Sequence, residues 1–141
     1  MKKIFSWILL CIGITAPVYA QKHTVPASVT QAFNTRFPLA KEVKWEKENS
    51  KEFEANFKLN STNVSANFGL DGQWKETETT INANELPTPV ANTVNTRYPG
   101  AVIIVAEKIE KPEGTLMYEV NIKVKGKKKE LELMPDGNLV K

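Results

Sequence analysis

Apolar residues recur every four positions in two stretches of the chain. Val29, Phe33 and Phe37 form one such series, with Ala32 and Arg36 beside them; Leu86, Val90, Val94 and Tyr98 form the other. This spacing places each set on one face of a helix. Pro26 and Pro87 suit a first helical turn, where the missing N–H has no partner to lose. Pro38 and Pro99 end each helix, because the residue before a proline is pushed out of the α region. A helix of about twelve residues is marginal alone in water, so each must pack on something.

After each helix the pattern changes to period two, the signature of a half-buried strand. Val43 and Trp45 alternate with Lys44 and Glu46. Phe53, Ala55, Phe57 and Leu59 alternate with Glu54, Asn56 and Lys58, and Val64, Ala66 and Phe68 with Ser65 and Asn67. The second stretch repeats this with Ile104 and Ala106, with Tyr118 to Val124, and with Leu131 and Leu133. Asp71-Gly72 and Asp136-Gly137 are hairpin-turn signals, and Trp74 and Leu139 after them are expected to open a fourth strand each time.

Sliding the chain against itself aligns the two stretches. Val25-Pro26 lies against Leu86-Pro87 and Asn34-Thr35-Arg36-Phe37-Pro38 against Asn95-Thr96-Arg97-Tyr98-Pro99, at an offset of 61. Phe53-Glu54-Ala55-Asn56-Phe57-Lys58 then lies against Tyr118-Glu119-Val120-Asn121-Ile122-Lys123 at an offset of 65, the extra residues fitting a turn at Lys111-Pro112-Glu113-Gly114. The expected fold class is therefore α+β, a tandem repeat of a helix plus a four-stranded antiparallel sheet, with units at residues 25–84 and 85–141. Trp45 and Phe57 are expected core positions.

The first twenty residues read differently. Lys2 and Lys3 form a positive start, Ile4 to Ile14 an apolar run, and Val18-Tyr19-Ala20 a small-residue cleavage site, which together describe a secretory signal peptide at residues 1–20. A membrane anchor is disfavoured, since Thr15, Ala16 and Pro17 interrupt the run well short of the roughly 20 residues that a span needs. Export to the periplasm with cleavage after Ala20 is expected, leaving residues 21–24 as a polar tail and no transmembrane anchor.

Composition then narrows the chemistry. Lysine and arginine total 19 against 16 acidic residues. Losing Lys2 and Lys3 brings the balance close to neutral, so a nucleic-acid partner loses its main support. Cys11 is the only cysteine and lies in the signal segment, while the only histidine, His23, falls in the tail. Cysteine nucleophiles, disulfides, Ser-His hydrolase sites and zinc sites built on His or Cys are excluded from the mature chain. No cofactor is implied, and catalysis would have to use carboxylates.

The order of these motifs resembles the PepSY-like periplasmic proteins of Bacteroidetes: the Pro-entry, Arg-aromatic-Pro-exit helix, then Val43-Lys44-Trp45, Phe53-Glu54-Ala55-Asn56-Phe57, Asp71-Gly72-Gln73-Trp74, and a second copy ending in Asp136-Gly137. Their fold is similar to β-lactamase inhibitory protein. The resemblance implies that the two sheets join side by side as one curved surface with the helices on one face. It also implies protein binding on the open, helix-free side. It brings no set of functional residues with it.

Candidate contact residues follow from the strand alternation. Glu54, Asn56 and Lys58, with Glu119, Asn121 and Lys123, recur on the polar face, either as a recognition surface or as ordinary cross-strand charge pairing. Ile103, Val105 and Ile109 would point to the outer face if Ile104 and Ala106 are core, forming an interface or a strand covered on both sides where the units meet. Lys125 to Lys129 make a basic turn that protects an edge or meets an anionic partner. Asp71 and Asp136 lack the alternating oxygen ligands of a calcium loop and read as hairpins.

Two functions are consistent with this pattern. The first is a non-catalytic binding or inhibitor-like module acting on another exported or envelope protein through the open sheet face. The second is a small-molecule binder or carboxylate enzyme with a site between the repeats, for which Glu54 and Glu119 would need to stand about 5 to 9 Å apart.

Overall fold

The computed structural model describes residues 24–140; the signal segment, Cys11 and His23 lie outside them. One seven-stranded sheet carries two helices, with every strand antiparallel to its neighbours and the strands in chain order. Helix α1 (Ala27–Arg36) precedes β1 (Lys41–Lys47), β2 (Glu52–Leu59), β3 (Thr62–Gly69) and β4 (Trp74–Ile81). Helix α2 (Thr88–Arg97) precedes β5 (Val102–Glu110), β6 (Leu116–Val124) and β7 (Lys127–Leu133). The β4–β5 pairing, from Thr77 opposite Glu110 to Ile81 opposite Ala106, joins the two stretches edge to edge in one continuous sheet.

Both helices lie on the same face, and the cores form beneath them. Val29 and Phe33 of α1 pack with Phe53, Ala55, Phe57, Val64, Ala66 and Phe68. Val90 and Val94 of α2 pack with Val120, Ile122, Leu131 and Leu133. Phe68, Ile122 and Leu133 are completely covered. Burying a side chain of this size is worth roughly 1.5–3 kcal/mol. Phe57 is buried as expected, whereas Trp45 is only partly covered, at the edge of its cluster.

The Asp-Gly turns do more than reverse the chain. Asp71 Oδ1 accepts from the Gln73 N–H at 2.9 Å and Asp136 Oδ1 from the Asn138 N–H at 3.0 Å, closing each turn. Gly72 and Gly137 both sit at φ +85°, with no room for a Cβ: one would stand 2.7 Å from the Ser28 carbonyl oxygen, the other 2.5 Å from that of Pro89. Ser28 Oγ donates to the Leu70 carbonyl and Thr93 Oγ1 to the Gly137 carbonyl, both at 2.8 Å. Each turn is thereby fastened to the first turns of a helix.

Two expectations need correction here. The strand expected at Leu139 is a single bridge to Leu133, with the Val140 N–H donating to the Glu132 carbonyl at 2.9 Å, and not a ladder like β4. The alternation in β1 and β5 also breaks. Ile103 stands opposite Ile122, but Val105 stands opposite Asn121, so Ile104 is an extra residue in a β-bulge. Ile103 therefore packs on the α2 core instead of facing out, and Ile104 is 46% exposed rather than buried. The same irregularity between Lys41 and Lys44 leaves Val43 partly exposed.

Candidate functional site

The face away from the helices is built by the other half of each strand's alternation. Once Phe53, Ala55 and Phe57 point to α1, Glu54, Asn56 and Lys58 must point the opposite way. By the same rule Glu119, Asn121 and Lys123 oppose Tyr118, Val120 and Ile122. Both triplets make the same local bond: Asn56 Nδ2 donates to Glu54 at 3.1 Å, and Asn121 Nδ2 to Glu119 at 2.7 Å. Lys58 reaches Glu42 at 3.8 Å.

A depression of about 560 Å³ crosses this face, and it gathers Glu54, Asn56 and Lys58 with Glu78, Val105 and Glu107. The second triplet does not line it. Strands β2 and β6 are separated by β3, β4 and β5. At about 4.8 Å per strand, Glu54 and Glu119 stand on strands roughly 19 Å apart. The carboxylate pair expected for a glycosidase-like site is therefore absent from these two positions. Val105 joins the face as expected, and so does Ile109, which pairs with Met117 and is buried there. Ile103 does not.

The basic turn divides by strand alternation. Lys128 faces the open side opposite Lys123, while Lys129 lies on the helix side with its ammonium 5.8 Å from the Tyr98 ring centre.

Residues outside the expected set dominate the second half of this face. Glu107 stands directly opposite Glu119, and Glu119 opposite Glu132, so three glutamates lie in a row across β5, β6 and β7. Carboxylate oxygens of Glu119, Glu130 and Glu132 come within 4.8 Å of one another. On β4, Glu78 is half-buried, accepts from Ser65 Oγ at 3.3 Å, and neighbours Glu76 and Glu107. Burial first, then the charges of Glu76, Glu107 and Glu119, push its carboxyl up to about 7. Glu119 is also raised, chiefly by burial and by Glu130, although Asn121 opposes the shift. The signal for this cluster was present in the period-two glutamates Glu76/Glu78 and Glu130/Glu132. Their proximity depends on the β4–β5 pairing.

The fold and its open polar face define an α+β protein in which two helices back one seven-stranded antiparallel sheet. A family model described as "Putative beta-lactamase-inhibitor-like, PepSY-like" matches residues 51–141, and the chain belongs to this family. A DUF2874 family protein from Bacteroides ovatus superposes with a TM-score of 0.74 at 25% identity, over 84% of this chain and 86% of that one. A BLIP-like protein from Bacteroides fragilis gives a TM-score of 0.71 at 24% identity, covering 85% and 86% respectively. A third structure, from Bacteroides eggerthii and described among "putative periplasmic proteins", gives 0.77 at 20% identity, covering 84% and 88%. No curated protein sequence matches the chain. Among the described residues no helix is long and apolar enough to cross a membrane.

Proposed function

We propose that this protein is a non-catalytic, inhibitor-like binding module that acts on another exported protein through the helix-free face of its sheet. The observation that carries this reading is the face itself: seven strands wide, largely polar, and crossed by a broad depression, with Glu54 and Glu119 on strands too far apart to act as a pair. The inhibitor-like family supports it. The signal-peptide pattern at residues 1–20 and the periplasmic description of the Bacteroides eggerthii protein support action in the periplasm. We also read residues 25–84 and 85–141 as copies of one ancestral unit, supported by the matching bulges in β1 and β5 and the matching Asp-Gly turns.

The test is capture from a periplasmic extract by the mature chain and by a variant with Glu54, Asn56, Lys58, Glu119, Asn121 and Lys123 changed to alanine. A folded variant that no longer enriches the protein bound by the wild type is the expected result. Unchanged capture would move the site off these strands. Failure of the variant to fold would assign the triplets to structure.

A further inference from the structure

The glutamates of β4 to β7 add a chemical requirement to that face. The whole chain carries more basic than acidic side chains, 19 against 16. Glu76, Glu78, Glu107, Glu119, Glu130 and Glu132 nevertheless share one side of four adjacent strands. Of the nearby cations, Lys111 pairs with Glu76 alone, at 3.1 Å, and Lys123 faces Lys128 at the far end. Among the described residues no salt bridge reaches Glu78, Glu107, Glu119, Glu130 or Glu132. Like charges opposite one another across a sheet are unfavourable. This face holds such repulsion in a row rather than relieving it with a lysine.

We propose that the β4–β7 half of the open face seats a lysine- or arginine-bearing segment of the partner protein, with cationic side chains placed on Glu78, Glu107, Glu119 and Glu132. This inference rests on the binding-module reading and specifies the chemistry of what is bound. Charge complementarity favours a cationic occupant, and the extent of the row favours a polypeptide. Four strands span about 14 Å, more than one ion's coordination shell, and this suits several cationic side chains along a chain. Val105 lies beside the row and can cover the methylene stem of a bound lysine or arginine. Half-burial of Glu78, Glu107 and Glu119 strengthens the attraction at those three, because water screens such groups less than the exposed Glu132. The raised carboxyls of Glu78 and Glu119 accord with this, since burial first and neighbouring carboxylates second hold each toward its neutral form.

Binding should then release protons. Glu78 faces Ser65 on β3 and Ile109 and Glu107 on β5, with Glu76 and Thr80 on its own strand and Lys111 committed to Glu76. A cation brought to this group favours its charged form, so affinity rises as pH climbs through 7.

The experiment uses the mature chain and a fluorescein-labelled hexa-arginine peptide, read by anisotropy in low salt. Calcium and a hexa-citrulline peptide serve as competitors. The expected result is saturable binding that strengthens about tenfold from pH 5.5 to pH 8 and weakens with salt. Amide shifts should be confined to β4–β7. The variant E78Q/E107Q/E119Q/E132Q, which keeps side-chain shape, should remain folded by circular dichroism and lose at least about tenfold in affinity. The variant E48Q/E52Q on the first half, outside both proposed contact sets, should bind as the wild type does. Equal binding by the fourfold variant, or full displacement by calcium at a one-to-one ratio, overturns the proposal. If the peptide result fails while the six-alanine variant still loses its captured protein, the binding reading stands and only its chemistry is wrong. If capture also survives, both readings fall.

Discussion

The α1 half and the α2 half of the sheet use the same frame with different contents. Under α1 the core is aromatic: Phe33 makes edge contacts with Trp45 and Phe57, at 5.2 and 5.1 Å between ring centres, and Phe37 lies 4.8 Å from Phe57. Under α2 the corresponding space is mainly aliphatic, filled by Val90, Val94, Val120, Ile122, Leu131 and Leu133, with Tyr118 and Tyr98 as its aromatic members. Where Arg36 stacks 3.5 Å above Trp74 in the first half, Leu139 occupies the matching turn in the second. The open faces differ as well, mixed in charge over β1–β3 and acidic over β4–β7. Backbone register and turn geometry thus hold steady while both the packing and the presented charge change. The frame needs alternation and the two glycine turns, but it does not dictate which apolar residues fill the core.

Cutting the chain between β4 and β5 is the harshest test of that shared frame. The cut strips the seam and leaves units of about 60 residues, each burying only about 60% of the surface its unfolded chain exposes. Neither half should unfold as cooperatively as the whole; two equally sharp transitions would mean that each half is a self-sufficient domain. The matched core substitutions come next. Phe68→Ala is expected to cost about 3–5 kcal/mol and Leu133→Ala about 2–5 kcal/mol, each in a single transition seen by chemical denaturation. A biphasic curve in either variant would separate the halves.

Gly72→Ala and Gly137→Ala probe the turns that the two halves have in common. Both force a side chain into positive φ and against helix backbone. A loss of more than about 1 kcal/mol is expected for each, larger at Gly137 where the approach is closer. Equal stability to the wild type would show that the helices do not rest on the turns.

The electrostatic contrast gives a smaller, pH-dependent effect. Glu78 ionises near 7 in the folded protein and near 4.5 in the unfolded chain. Between those values the folded state keeps a proton that the unfolded state has lost, so this group's contribution to stability falls as pH rises through the window. Glu78→Gln should therefore raise the Tm relative to wild type at pH 8 and leave it nearly unchanged at pH 4, measured by thermal melts across the range. A difference of opposite sign would mean that Glu78 has a cation partner. In the first half, Lys58→Ala should change stability by less than about 0.5 kcal/mol, since its pairing with Glu42 is exposed.

Much of this contrast was legible in the residue pattern. Val29 and Phe33, or Val90 and Val94, mark the helix faces, and the alternation in β2 and β6 assigns every polar candidate to its side. Period two cannot register one inserted residue, so Ile103 and Ile104 exchanged places at the bulge. The acidic row was hidden for another reason. Glu78, Glu107 and Glu132 are far apart in the chain, and only pairing through β4–β5–β6–β7 makes them neighbours. Leu139 followed the right turn, yet it pairs only through a bridge to Leu133, which the Asp-Gly signal alone does not distinguish from a strand.

The fastening of Asp71-Gly72 and Asp136-Gly137 to the two helices bears on how the proposed binding face would meet a partner. A sheet pinned from behind at both ends of its helix layer has little freedom left to lose. Association on its polar side then forfeits mainly side-chain rotamers, and the partner's own ordering sets most of the entropic cost. Loosening either pin should appear as faster dissociation before any contact residue has been touched, since a mobile backing lets the bound arrangement open.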